Sequence, residues 1–163
     1  AGVTPTVACL RRLNVQTIGG YDVAAQVIGI VAHHLKPHAF SKSVTPVGDG
    51  AFRRLAQKVD LELLARVATS DCNGRTGAFD CSAIDRFLER ARALGVEHRA
   101  PEPIVRGRHL LELGVEPGPR MGEILRRVYE QQLDGHVPAL DAGLAIARAI
   151  VAATSDTERS NSR

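Results

Sequence analysis

What most constrains this chain is its punctuation. Apolar residues recur at spacings of three and four, and each such stretch ends at a Gly, a Pro or an Asn-Gly pair. That pattern builds short amphipathic helices, each burying one stripe. Val23, Val27, Ile30, Val31 and Leu35 carry this spacing over residues 22–35. Lys36-Pro37 then stops the helix, because Pro lacks the amide that a helix interior needs. Residues 36–48 are rich in Ser, Thr, Pro and Gly and read as a loop. Helices are expected over 3–13 and 51–58. Asp60 is placed to cap the next one, with Leu61, Leu64, Val67 and Ala68 facing inward. Asn73-Gly74 and Thr76-Gly77 break the chain. Ser82 and Asp85 have capping-box spacing, with Asp in place of Glu, and open a helix over 83–94 that closes at Gly95.

Pro101 and Pro103 mark residues 96–105 as a connector. A short helix over 107–113 ends at Gly114, and Pro117-Gly118-Pro119 is a hard turn. A longer helix covers 120–133, with Ile124, Leu125 and Val128 inward, and a last one covers 140–153. No segment alternates as a strand for more than four residues. The expected fold class is therefore all-α, a helical bundle followed by a smaller helical tail. The divisions are residues 1–98, residues 99–153 and a disordered tail over 154–163.

The chain has 163 residues, 44% hydrophobic and 24% charged. A chain of that length buries about two-thirds of its unfolded surface and needs no staples. No apolar run approaches the roughly 20 residues that span a bilayer, so no membrane partner is expected. The N-terminus lacks the basic and apolar regions of a signal peptide. Cys9, Cys72 and Cys81 are odd in number and lack zinc spacing, so they read as reduced thiols in a cytoplasmic protein. Cys72 and Cys81 read as small apolar fillers. Aromatic residues are 4% and Trp is absent, so stacking on bases is not a theme. Lys36, Lys42 and Lys58 are the only lysines among 21 basic residues, and the net charge is +3. Arg presents a planar fork that fits phosphate, although a GC-rich genome gives the same excess.

Two places carry donor groups. His33-His34 closes one apolar helix and Asp71 another. Imidazole and carboxylate both bind divalent metals, yet these ligands are few, and a helix-end His also suits the helix dipole. The second place is the stretch 113–122. Pro sits near a helix start, and the amides that follow form an anion site. Arg106, Arg108 and Arg120 lie near it in sequence, and Arg126 and Arg127 continue the helix. With Arg99 they make six Arg between 99 and 127, interleaved with Glu102, Glu112, Glu116 and Glu123. A one-sided Arg face would track a phosphate backbone rather than read bases. The alternative is a tight corner between helices that needs small residues at Gly107, Gly114, Gly118 and Gly122.

Residues 63–77, an apolar helix running into Ser70-Asp71-Cys72-Asn73-Gly74-Arg75, resemble the end of the HD-type helical domain of bacterial tRNA nucleotidyltransferases, the CCA-adding enzymes and their poly(A) polymerase relatives. Residues 107–114 with 118–125 are similar to the family's C-terminal G-x-x-L-x-x-L-G and P-G-P-x-x-G-x-x-L pattern, and Gln132-Leu133-Asp134-Gly135 fits its acidic-Gly ending. Ile30-Val31-Ala32-His33-His34 resembles its His-ended helix. The resemblance covers residues 1 to about 150. It implies a tRNA-binding C-terminal region holding the acceptor arm by its backbone through Arg106, Arg108, Gly118, Arg120, Gly122, Arg126 and Arg127. It implies that His34 and Asp71 belong to an incomplete metal-ligand set. The family's Gly-Ser head motif, its paired carboxylates and the His-Asp doublet are not in this sequence. The fragment is therefore expected to be inactive alone and to bind no cofactor, with Mg²⁺, ATP and CTP used by an intact enzyme that has an N-terminal nucleotidyltransferase head. The alternatives are part of an HD-type metal-dependent phosphohydrolase, using His33 or His34 with Asp71, and a helical interaction module.

Overall fold

The structure, a computed structural model, describes residues 2–42, 45–76 and 79–161. It is mostly helical, as an all-α chain should be. The chain divides into two compact units, Ala1–Pro101 and Glu102–Arg163. The first holds α1 (Val3–Arg12), a hairpin of β1 (Thr17–Ile18) and β2 (Tyr21–Asp22), α2 (Val23–His33), α3 (Lys36–Lys42), α4 (Asp49–Ala56), α5 (Leu61–Asn73) and α6 (Ser82–Ala93). The second holds α7 (Gly107–Glu112), α8 (Pro119–Leu133) and α9 (Leu140–Asn161). Among the described residues, no helix is long and apolar enough to cross a membrane.

Local chemistry sets the element ends. Asp60 caps α5, its Oδ1 accepting from the Leu63 amide at 2.9 Å, while its own amide donates to Gln26 Oε1 at 3.0 Å. One residue thus starts α5 and ties it to α2. Asp22 caps α2 in the same way, accepting from the Ala25 amide at 2.8 Å. Gly95 ends α6 with φ +63°, and the Val96 amide donates back to Ala91 O at 3.0 Å, the closing bond of a left-handed helix terminus. The hairpin pairs Thr17 with Asp22 and Ile18 with Tyr21, and its turn is Gly19-Gly20, with φ +58° and +83°. Two glycines at positive φ are the local signal for such a turn.

Several expectations need correction. Residues 36–42 are helix, not loop. Pro37 falls in the first turn of α3, where the missing amide has no helical acceptor to serve, so Pro starts a helix here instead of only ending one. Ser82 does not cap α6. Asp80 Oδ1 takes the Ser82 amide at 2.9 Å, and the Ser82 hydroxyl accepts from Arg86 instead. Val67 is 42% exposed and Leu35 57% exposed, at the margins of their apolar stripes. The backbone of 154–161 is helical as part of α9, where a disordered tail was expected, since neither Gly nor Pro interrupts the ladder. Cys72 and Cys81 are not reduced thiols but a disulfide, because the end of α5 and the start of α6 bring their Cα atoms to 6.1 Å. Gly77 and residues 162–163 lie outside the described residues.

The core of the first unit centres on α5, with Leu61, Leu64, Ala65 and Ala68 fully buried. Phe40 of α3, Phe52 of α4 and Phe87 of α6 form one aromatic cluster, with ring centroids 5.0, 5.2 and 5.7 Å apart. The second unit buries Val105, Leu110, Ile124, Val128, Val137 and Ala147. Its one buried amide side chain, among the described residues, is hydrogen-bonded at both its oxygen and its nitrogen. Gln132 Oε1 accepts from the Ile104 amide at 2.9 Å, and Gln132 Nε2 donates to Glu102 O at 2.8 Å. The irregular stretch 102–104 is thereby pinned to α8 as a paired strand would be.

Gly29 sets the approach of α2. A Cβ there would sit 2.5 Å from Lys58 O and 3.1 Å from Val59 Cβ. Backbone cannot yield as a side-chain tip does, so Gly29→Ala should cost about 1–3 kcal/mol by overpacking. Chemical unfolding should show a lower midpoint for this variant. An unchanged midpoint would mean that α2 is not held by this contact.

Candidate functional site

In the second unit the candidate residues gather at the start of α8. Pro119 is the first helical residue, so the helix begins without an amide at that position. Gly118 precedes it and supplies no side-chain cap. The first helical bond is long, from the Gly122 amide to Gly118 O at 3.3 Å. Amides of an uncapped first turn, with the positive end of the helix dipole, favour an anion. Gly114 to Arg120, with Val151 of α9, line a hollow of about 420 Å³ there.

The glycines separate the two explanations offered by the sequence. Gly114 has φ +77° and is needed for the turn itself. Gly118 is extended, a conformation any residue adopts, and a Cβ on Gly118 or Gly122 would have no atom within 4 Å. Their smallness is therefore required neither by the backbone nor by packing. The expectation of a tight corner fails at these two positions. It holds loosely at Gly107, where a Cβ would lie 3.6 Å from Met121 Sδ, bringing the start of α7 beside the first turn of α8.

The arginines do not form one continuous face. Arg106, Arg108, Arg120, Arg126 and Arg127 are all exposed. Arg120 and Arg127 are seven residues apart and share one stripe of α8, whereas Arg126 is turned about 100° from Arg127. Arg126 lines a hollow of about 370 Å³ with Arg106, Pro103, Val105, Leu125 and Tyr129. Arg126 and Arg127 also edge a groove with Ile146 and Ile150 of α9. Arg106 is ion-paired to Glu102 at 3.0 Å. Arg108 Nε lies 3.2 Å from His109 Nε2, and the Arg106 amide 3.1 Å from His109 Nδ1. A neutral imidazole has one lone pair, so the buried ring accepts from one of these donors at a time.

In the first unit the ends of α2 and α5 are near enough for the charge of His34 to act on Asp71. Arg75, at 2.8 Å, holds the Asp71 carboxyl below its ordinary range, and the charges of His34 and His38 act in the same direction. His34 Nδ1 donates to Val31 O at 3.0 Å, which leaves Nε2 as the ring's remaining nitrogen. His38 Nε2 is buried and has no partner among the described residues. The Ser, Thr, Pro and Gly content of residues 36–48 reads as a loop and hides His38; its sequence signal is the spacing of four from His34. His33 instead faces cations. Burial, then Lys58 and Lys36, push its pKa below the ordinary 6.5. Among the described residues, no group of three or more His, Cys, Asp or Glu is arranged to hold a metal. The partner that Asp71 has in this structure is Arg75.

No family model, curated protein or solved structure matches this chain.

Two outcomes follow from this geometry. Because the fold depresses the His33 pKa, the unfolded chain binds more protons, and stability is complete above pH 6.5 and falls as the pH drops below it. His33→Gln should shrink the drop in urea midpoint between about pH 7.5 and pH 5; an equal drop would place the effect elsewhere. Gly118→Ala should leave the melting temperature unchanged. Gly122→Ala should raise stability by up to about 1 kcal/mol through helix propensity. A loss of stability in either variant would restore the tight-corner explanation.

Proposed function

We propose that this chain is the helical, tRNA-binding C-terminal region of a tRNA nucleotidyltransferase-like protein, in which α8 receives a phosphate of the RNA backbone. The observation that carries this reading is the pair Gly118 and Gly122. They are open on the side a ligand would approach, at an uncapped helix start, with exposed arginines around it. Smallness that the fold does not use is available to a backbone-to-backbone approach. Arg120 and Arg127 extend the contact along one stripe of α8, and Arg108 adds a charge at the start of α7. Such contacts sense charge and shape, so binding is tolerant of sequence and weakens steeply with salt.

In the intact protein, a nucleotidyltransferase head would add nucleotides from CTP and ATP with Mg²⁺, and this region would hold the acceptor arm. The present residues supply positioning only. The chain alone should not incorporate CTP or ATP into tRNA. A second reading, part of an HD-type phosphohydrolase, is favoured by one observation, the buried His38 Nε2, without a partner among the described residues, whose ring acts with His34 on the charge of Asp71.

The test is tRNA binding by the full chain from low to physiological salt. The double variant Arg120→Ala with Arg127→Ala should flatten the log–log salt slope by about two units, one per lost phosphate contact. Gly122→Ala should weaken binding while keeping or raising the melting temperature. Unchanged affinity and slope in a folded double variant would remove α8 from the RNA path. Metal-dependent phosphate-ester hydrolysis abolished by Asp71→Ala would replace this reading with the second.

A further inference from the structure

Cys72 lies in the last turn of α5, and Cys81 immediately precedes α6. The two are joined, closing a ring that contains Arg75 and Phe79. Cys72 is 3% exposed, whereas Cys81 is half-buried and is the more accessible residue of the two. Around Cys81 Sγ stand two oxygens, Asn73 Oδ1 at 3.4 Å and Phe79 O at 3.7 Å. A disulfide sulfur has no proton to donate, so in the bonded state these acceptors gain nothing from it. A thiol at the same place would find a hydrogen-bond acceptor on either side. The buried Cys72 side has a different resource. As a free thiol it is a small apolar group among Ala68, Ile84 and Phe87 of the same core cluster. Both redox states are thus provided for.

Helices α5 and α6 do not need the bond to stay together. Leu64, Ala65, Ala68, Ile84, Phe87 and Ala91 share one buried cluster along their lengths. The bond acts at the end of the pair, where it matters for a polar group. Asp71 is next to Cys72 and is ion-paired to Arg75, inside the ring, and Arg75 also lies 5.7 Å over the Phe79 ring. A closed ring leaves the backbone at Arg75 fewer conformations than an open chain has.

We propose that Cys72 and Cys81 are a reversible redox couple, opened by a dithiol-class reductant, whose state decides how firmly Arg75 holds the Asp71 carboxylate. A thiolate of the reductant attacks Cys81 Sγ and forms a mixed disulfide. The bond to Cys72 breaks, and Cys72 leaves with the electron pair and takes a proton. The reductant's second thiolate attacks its own sulfur in the mixed disulfide, releasing Cys81, which takes a second proton. The protein gains two electrons and two protons, and the dithiol leaves as its disulfide. Reoxidation is the reverse exchange with a disulfide such as oxidised glutathione. This proposal is independent of any RNA role.

The experiment uses the full chain and dithiothreitol as the reductant. Alkylation followed by peptide mass spectrometry should label only Cys9 after treatment with oxidised glutathione, and all three cysteines after dithiothreitol. Removing the reductant and restoring oxidised glutathione should return the first pattern. Reduction should lower the melting temperature by about 5 °C while the helical circular dichroism persists. It should also speed amide exchange at least tenfold in peptides covering the end of α5 and the start of α6. The variant Cys72→Ser with Cys81→Ser should behave as the reduced protein and ignore dithiothreitol. Three labelled cysteines after oxidation would overturn the proposal. So would an exchange pattern indifferent to reduction, and so would complete unfolding on reduction, which would make the bond a structural staple.

Discussion

The first unit depends on how a chain poor in large aromatic residues fills its centre. It has four Phe, and three of them meet in one place. Phe40, Phe52 and Phe87 come from three different helices, so their packing fixes α3, α4 and α6 at a single point. Edge-on and stacked pairs at these separations add about 0.5–1.5 kcal/mol each beyond the area they bury. Elsewhere the helices approach through small residues. Ala56, Ala65, Ala68 and Ala91 are buried, and Gly29 leaves no room for even one methyl group. Close approach leaves little freedom to slide, because adding one atom collides with backbone. The positions of His34 at the end of α2 and His38 on α3 follow from these two contacts.

Signals that act within one turn of helix were legible. Asp60 and Gly95 behave as their local chemistry dictates, since a carboxylate needs only the amide three residues on, and a positive φ needs only the absence of a Cβ. Pro37 was not legible in the same way. A Pro ends a helix that precedes it and equally starts one that follows, and only tertiary packing chooses. Here Pro37 is fully buried and Phe40, three residues later, joins the aromatic cluster. Ser82 failed because the helix starts one residue earlier, so Ser82 lies inside α6, its amide donates to Asp80 and its hydroxyl accepts from Arg86. The two-residue strands were below the length at which alternation means anything, although Gly19-Gly20 announced the turn between them.

For the candidate sites, the identities were legible and the distances were not. His34 and Asp71 are 37 positions apart in sequence, and α2 is brought to the start of α5 by Gly29 and Gln26, which meet Lys58, Val59 and Asp60 in the turn before it. His38 was lost with the loop assignment that preceded it, so an error in secondary structure became an error in chemistry. The cysteines show the same limit. They are nine positions apart across two helix-breaking pairs, and that spacing allows either free thiols or the Cα separation of roughly 4.4–6.8 Å that a disulfide needs.

The arginines of the second unit act locally rather than as a field. The net charge of the whole chain is only +3, and Glu123 and Glu130 sit on the same helix as Arg120 and Arg127. Seven residues of helix separate those two guanidinium-bearing positions by about 10 Å along the axis. That is close to the Debye length of about 8–10 Å at physiological salt. On the proposed reading each arginine would therefore meet its own phosphate with little help from the other, and the long-range steering that a strongly basic protein exerts is weak here. An anion held at the start of α8 gains in addition from the amides of the first turn, which are fixed in place and carry no rotamer entropy to lose. On the proposed reading, the helix start would set the register of a bound polyanion, and the arginine stripe below it would supply strength in separate, salt-sensitive steps. A backbone seated so closely on Gly118 and Gly122 would not tolerate a side chain at either, which is the property that the fold of this chain, on its own account, does not require of them.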